Sequence, residues 1–274
     1  MNLPLRTSRI KLSQGKIFWR EVGQQGPVLV FLHGSWETSS QWLPVLKNLG
    51  AFYHCFAIDL LGFGDSECPK LHYSIELETE WLAEYLDALN LRQIYLVGHS
   101  LGSWVAAHYS LKHLHQVRGL VLLDPEGVEV SGLDGRWRWA RWLMRKPPLV
   151  FWGMRLLYPL ARLLGWERGM LRSQQLHRQL QRSPTACKLL FQRRRAEIQA
   201  ELLQERLPWL KVPALILQSG QSTAAASLLS QTYAGLLPKA ELQVLAKGGQ
   251  DLPQTLPDEV AARIREFVET AKPL

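Results

Sequence analysis

The sequence predicts an α/β fold, a mostly parallel, doubly wound sheet carrying one inserted helical segment, and three observations predict it. Short, uniformly apolar runs rich in β-branched residues alternate with helical patterns, and strands apolar on every side belong to parallel sheets covered on both faces. One stretch, residues 128–208, interrupts that alternation and shows no strand pattern of its own. Its composition also differs from its flanks. Between Val128 and Leu210 there are 16 Lys+Arg against 6 Asp+Glu, so the net charge of +8 originates in this segment and the remainder is slightly acidic.

The elements follow in order. Val28–Leu32, bounded by Gly26-Pro27 and His33-Gly34, reads as a buried strand, and Cys55–Ile58, ended by Asp59 and the turn-rich Gly62–Ser66, as another. From about Ser74 to Leu89, Ile75, Leu77, Trp81, Leu82, Tyr85 and Leu86 are spaced for one face of a helix. Ile94–Val97 is a strand that leads into a helical run from Trp104 to Leu114. Leu120–Leu123, Ala214–Leu217 and Leu242–Leu245 complete the strand set, and a helix near Pro257–Ala271 closes the chain. Residues 1–127 and 209–274 are thus the expected core. Residues 128–208 are expected to form a helical, basic, tryptophan-rich cap over the edge where such sheets bind ligands, beyond the carboxyl ends of the strands.

Composition excludes several classes. With 47% hydrophobic and 20% charged residues over 274 positions, the chain has material for a core and is neither disordered nor collagen-like. No run reaches the roughly 18 apolar residues of a membrane-spanning helix. Met1–Arg6 lacks the basic-then-apolar pattern of a secretory signal. Cys55, Cys68 and Cys187 are odd in number and unrelated in spacing, which predicts reduced thiols rather than a disulfide framework or a zinc site. The expectation is a cytoplasmic protein with no metal and no cofactor.

The most specific motif is Gly98-His99-Ser100-Leu101-Gly102, between a predicted strand and a predicted helix. In that context a G-x-S-x-G is a nucleophile elbow: small neighbours permit the strained turn that pushes the serine hydroxyl outward. The helix N-terminus behind Ser100 favours negative charge, and the Leu101 N–H would help hold an oxyanion.

Together with His33-Gly34-Ser35 after an earlier strand and Asp59-Leu60-Leu61-Gly62-Phe63-Gly64-Asp65-Ser66 after the next, this order resembles the α/β-hydrolase family with a helical cap, on its serine esterase, lipase and thioesterase side. A serine elbow argues against members with an aspartate nucleophile, such as epoxide hydrolases and haloalkane dehalogenases. The resemblance implies a second oxyanion N–H at Ser35 and a packing role for His33. It also implies an acid after the strand that follows the cap, and a histidine after the last strand.

At those two positions the sequence departs from the family. The acid would fall on Ser222 or Thr223, and there is no Asp or Glu between Gln218 and Ala240. The histidine would fall on Gln250, and no histidine occurs after His177. Glutamine has no usable proton affinity near neutral pH. Asp124, at the end of Leu120–Leu123, stands where some family members place the acid, with a turn carboxylate as its alternative role. As substitutes for the base, His177 is expected to be solvated in the cap, Asp251 needs strong desolvation, and His99 normally points away from the nucleophile.

Arg136-Trp137-Arg138-Trp139-Ala140-Arg141-Trp142 leaves three readings open for the cap: an anionic membrane surface, the lining of an apolar pocket, or a solvated cap whose indoles pack inward. Arg193-Arg194-Arg195 is short and no nucleic-acid fold signature accompanies it, so nucleic acid is not an expected partner. The sequence leaves the oligomeric state open. Two functions remain. One is a catalytically impaired hydrolase scaffold that acts in binding or regulating an apolar ligand. The other is an active esterase, lipase or thioesterase acting on a bulky hydrophobic ester through a non-standard base.

Overall fold

The computed structural model describes residues 4–133, 135–145, 149–156, 167–249 and 251–271. The chain divides into two compact units, one of Met1–Val130 with Glu201–Leu274 and one of Ser131–Ala200.

In the first unit the strands are β1 (Arg6–Leu12), β2 (Gly15–Val22), β3 (Val28–Leu32), β4 (His54–Asp59), β5 (Ile94–His99), β6 (Val117–Leu123), β7 (Ala214–Ser219) and β8 (Ala240–Leu245). They form one sheet in the order β1-β2-β4-β3-β5-β6-β7-β8. From β4 to β8 every neighbouring pair is parallel. The interior strands β3, β5, β6 and β7 are largely apolar because both faces are covered, and in β3 Leu29 through Leu32 are all fully buried, whereas the edge strand β8 carries Glu241 and Gln243 and buries only Leu245.

The hairpin of β1 and β2 adds an antiparallel edge that the sequence expectation lacks. In β1, exposed Arg6, Arg9 and Lys11 alternate with half-buried Ser8 and Ile10. In β2, buried Ile17, Phe18 and Trp19 sit between Lys16 and Arg20. Neither segment presents the continuous apolar run that identifies the other strands. Two helices were also missed by periodicity, α1 (Leu43–Leu49) and a later one at Ala224–Leu236, both of modest length and low polarity.

The longer remaining helices of this unit are α2 (Ile75–Ala88), α3 (Leu101–Lys112) and a final one at Pro257–Thr270, which follows a single turn at Leu252–Thr255. Ser74 caps α2, its side chain accepting from the Leu77 N–H at 2.9 Å, which satisfies one of the four amides at a helix start. Leu101 through Ser110 of α3 are all buried, so this helix has no polar face to betray its start, which lies three residues before the expected Trp104. On one face of the sheet, Val45, Leu46 and Leu49 of α1 join Val260, Ile264 and Val268 of the final helix against β-strand side chains such as Phe31, Val97 and Val121. Each such side chain contributes about 1.5–3 kcal/mol by leaving water.

Among its described residues the second unit contains helices and turns only: α4 (Arg138–Leu143), α5 (Leu149–Leu156), α6 (Glu167–Arg182), a short helix at Pro184–Cys187 that runs into a π-helical turn at Lys188–Gln192, and a helix at Arg195–Glu201 that reaches its boundary. Trp137 stacks on Phe191 at 5.3 Å, and the Arg141 guanidinium donates to the Phe191 carbonyl at 2.9 Å, tying the start of this unit to its end.

Candidate active site

The sheet order reverses at β3 and β5, and the crevice beyond such a reversal is where open α/β sheets bind ligands. Two loops leave the carboxyl ends of these strands. One begins His33-Gly34-Ser35, and the other is the single residue Ser100 between β5 and α3.

Ser100 has φ 50 and ψ −110, a conformation that side-chain-bearing residues rarely adopt and that costs about 1–3 kcal/mol. The surrounding backbone holds it there. The Ser100 N–H donates to the Leu123 carbonyl at 2.9 Å, and the Ser100 carbonyl accepts from Ser103 N–H at 3.1 Å. Both glycines of the motif are required by close approach: a Cβ on Gly102 would lie 2.3 Å from the Leu32 carbonyl oxygen, and one on Gly98 would lie 2.5 Å from Ser103 N. The Ser100 hydroxyl is 3.4 Å from the hydroxyl of buried Ser35. Leu101 opens α3, so its N–H belongs to the first helical turn, whose amides lack intrahelical acceptors and carry the positive end of the helix dipole. The structure therefore brings Ser100, Leu101 and Ser35 together.

On the other side of the elbow, the two acid positions have different roles. Thr223 caps the helix at Ala224–Leu236, its hydroxyl accepting from Ala226 N–H at 3.2 Å. Ser222 turns its hydroxyl to Asp124, donating to Oδ1 at 2.8 Å, and the same oxygen accepts from Ser219 N–H at 3.2 Å. Asp124 stands directly after β6 with φ 40, another strained position. Burial raises its pKa, opposed by the Ser222 hydroxyl, the nearby His99 and the Ser219 amide. Among these positions a carboxylate is thus present on β6, with a serine facing it from the loop after β7. Gln250, the base position, lies outside the described residues.

His33 and His99, the histidines on the loops of the elbow, are committed elsewhere. His33 donates from Nδ1 to the Gly34 carbonyl at 2.8 Å and accepts at Nε2 from Leu60 N–H at 3.1 Å, which makes it a backbone brace, and burial lowers its pKa. His99 is held through Gln41. The Gln41 Oε1 accepts from Gly34 N–H at 3.0 Å, which leaves its amide nitrogen to donate, to His99 Nδ1 at 2.8 Å and to Asp251 Oδ1 at 2.8 Å. That network assigns the neutral imidazole with its proton on Nε2. His177 is buried on α6, where a solvated histidine was expected. Its neighbours Leu176 and Arg178 gave no periodic signal of an inward face.

Gln41 is the residue the sequence did not mark. It is fully buried and joins the loop after β3, the elbow and the segment after β8. Its only signal is a polar residue set directly before Trp42, itself fully buried. Burial raises the Asp251 carboxyl, against the Gln41 hydrogen bond, and the Glu37 carboxyl is raised by burial and by Asp251. Among the described residues, no cluster of metal-ligating side chains occurs.

A parallel sheet with a strained serine elbow at its switch point defines a hydrolase scaffold. The chain belongs to the alpha/beta hydrolase family, whose model matches residues 29–263. It is 30% identical over 119 residues, 43% of this chain and 38% of the other, to a haloalkane dehalogenase of Mesorhizobium japonicum. It is 36% identical over 124 residues, 43% of this chain and 45% of the other, to a 2-hydroxy-6-oxo-2,4-heptadienoate hydrolase of Pseudomonas putida. These matches span less than half the length of either curated relative. In fold it is similar to a membrane phospholipase A described as a bacterial virulence factor, with a TM-score of 0.75 at 23% identity, covering 97% of this chain and 86% of the other.

Proposed function

We propose that this protein is a serine-hydrolase scaffold whose hydrolytic chemistry is attenuated and whose site binds an apolar acyl ligand. The observation that supports this reading is the loop after β7, where both candidate acid positions carry hydroxyls, Ser222 donating to Asp124 and Thr223 capping the following helix. The sequence adds Gln250 at the base position. In a serine protease, loss of the base alone costs about 10⁶ in kcat, while an oxyanion site and binding leave roughly 10³–10⁴ over water. The resemblance in fold to a phospholipase supports an apolar acyl ligand.

A second reading, an active esterase with an unusual base, is favoured by the buried Asp124 carboxyl, which is held in place rather than discarded. A fluorophosphonate probe and a short activated ester discriminate the two. Slow labelling of Ser100 and little Ser100-dependent turnover are expected. Turnover near ~10 s⁻¹, the enzyme median, abolished by Ser100→Ala, would establish the esterase instead.

A further inference from the structure

We propose that the basic unit of residues 131–200 docks on an anionic lipid surface through indole rings on α4 and α5. This surface is independent of whether Ser100 turns over a substrate. Its composition is one-sided: residues 131–200 carry 15 Lys+Arg against 3 Asp+Glu, and residues 135–166 carry seven Lys+Arg and no acidic residue.

The helices separate packing residues from outward ones. On α4, Ala140 and Leu143 are buried, whereas Trp139 and Trp142, three residues apart and so on one helical face, are 46% and 53% exposed. On α5, Trp152 and Leu156, four apart, are 58% and 81% exposed. These three indoles therefore do not serve the interior. Packing is the task of Trp137, which stacks on Phe191. Arg138, Arg145 and Arg155 are exposed and stand within three residues of these rings along the chain.

Indole is amphipathic, with an apolar body and one N–H donor, and it partitions to the level of lipid headgroups, where both are satisfied. A cationic rim around such rings complements the negative potential of anionic lipids. Each basic side chain near that surface strengthens binding by roughly fivefold. A second copy of this chain is a poorer occupant, because two like surfaces of this charge repel. Among the described residues, no helix is long and apolar enough to cross a membrane, so the contact is peripheral.

The test uses the full chain with sedimenting vesicles of phosphatidylcholine alone and with about one third phosphatidylglycerol. A parallel measurement follows quenching of tryptophan fluorescence by bromine-labelled acyl chains. Binding to the anionic vesicles is expected to be at least tenfold tighter than to neutral ones and to weaken as salt shortens the screening length. The Trp139→Ser, Trp142→Ser double variant should lose most of the acyl-chain quenching, keeping only the share of Trp152, and weaken binding at least tenfold. The Arg138→Gln, Arg145→Gln, Arg155→Gln variant should weaken binding to anionic vesicles alone. All five positions are exposed, and an unchanged melting temperature verifies that the variants fold. Equal affinity for both vesicle types, no binding to either, or tryptophan variants that bind as the parent does would each overturn the proposal. So would indole variants that alter only self-association.

Discussion

If Asp124 has taken over the acid's place, restoring the base alone should restore chemistry, and Gln250→His is the substitution that asks the question. A missing base accounts for about 10⁶ in kcat in a serine protease, and an imidazole without its carboxylate partner falls short by about 10⁴. An introduced imidazole that Asp124 orients should therefore raise hydrolysis of a short activated ester by more than ~10²-fold over the parent, and an unoriented one by less. Adding Ser222→Asp, the residue type the family pattern places at 222 or 223, should reduce the gain. Ser222 Oγ is 2.8 Å from Asp124 Oδ1. Two carboxylates at ~3 Å repel by about 5 kcal/mol at an effective dielectric near 20, so the pair would retain a proton and orient an imidazole poorly. The assay is initial-rate release of nitrophenol from an acetate ester, with Ser100→Ala in each background as the control. A double variant faster than Gln250→His, or a Gln250→His enzyme indifferent to Asp124→Asn, would refute the assignment of Asp124.

Three further outcomes are expected. Gln41→Leu strips a hydrogen bond from Gly34 N–H, His99 and Asp251 at once; at about 1–3 kcal/mol for each buried orphan, the melting temperature should fall by roughly 5 °C or more, and an unchanged value would show the network to be incidental. Gly102→Ala places a Cβ against backbone that cannot move aside, so a loss of about 3 kcal/mol or more is expected in denaturant unfolding. Glu78 is fully buried, and its carboxyl is raised well above the ordinary 4.5 by burial, against a hydrogen bond from Leu61 N–H. The folded state therefore holds a proton that the unfolded state releases above that value, and stability falls as pH climbs from there toward the folded pKa. Glu78→Gln should remove that slope, so the variant gains on the parent as pH rises; parallel stability curves between pH 4 and 8 would disprove it.

The fold was legible where burial is uniform and illegible where it is not. β3, β5, β6 and β7 are apolar on every side, so a run of Val, Ile and Leu locates each of them. The β1–β2 hairpin forms the sheet's outer edge, and its solvent-facing Arg and Lys side chains dilute the signal below recognition. At the site, the elbow was readable because the strand-to-helix turn fixes its own residue types, with Gly98 set by contacts to Gly102 and Ser103, whereas the Leu32 carbonyl that excludes a side chain at Gly102 lies on β3, far away in sequence. The distinction between Ser222 and Thr223 was not readable, because it depends on which hydroxyl the helix takes as its cap and which is left to meet Asp124, 98 residues away in sequence.

Gln41 exposes a sharper limit and also bears on the base. A histidine next to the nucleophile is a natural candidate to replace a lost one, and His99 lies near enough to Asp124 to influence its ionisation. Its Nδ1, however, accepts from Gln41, and Gln41 can donate there only while its oxygen serves Gly34 at the start of the loop that carries Ser35. A protonated His99 would oppose two donors across 2.8 Å. Gln41 would have to turn over, presenting an oxygen to the imidazolium and its amide group to the Gly34 N–H, donor to donor. Accepting a proton at this imidazole thus costs a backbone hydrogen bond in the loop beside the nucleophile, at the moment an oxyanion would need that loop held still. The network that ties the Ser35 loop to His99 sets a backbone hydrogen bond against a proton on His99 Nδ1, and under the proposed reading that cost is what keeps this histidine from taking the base's role.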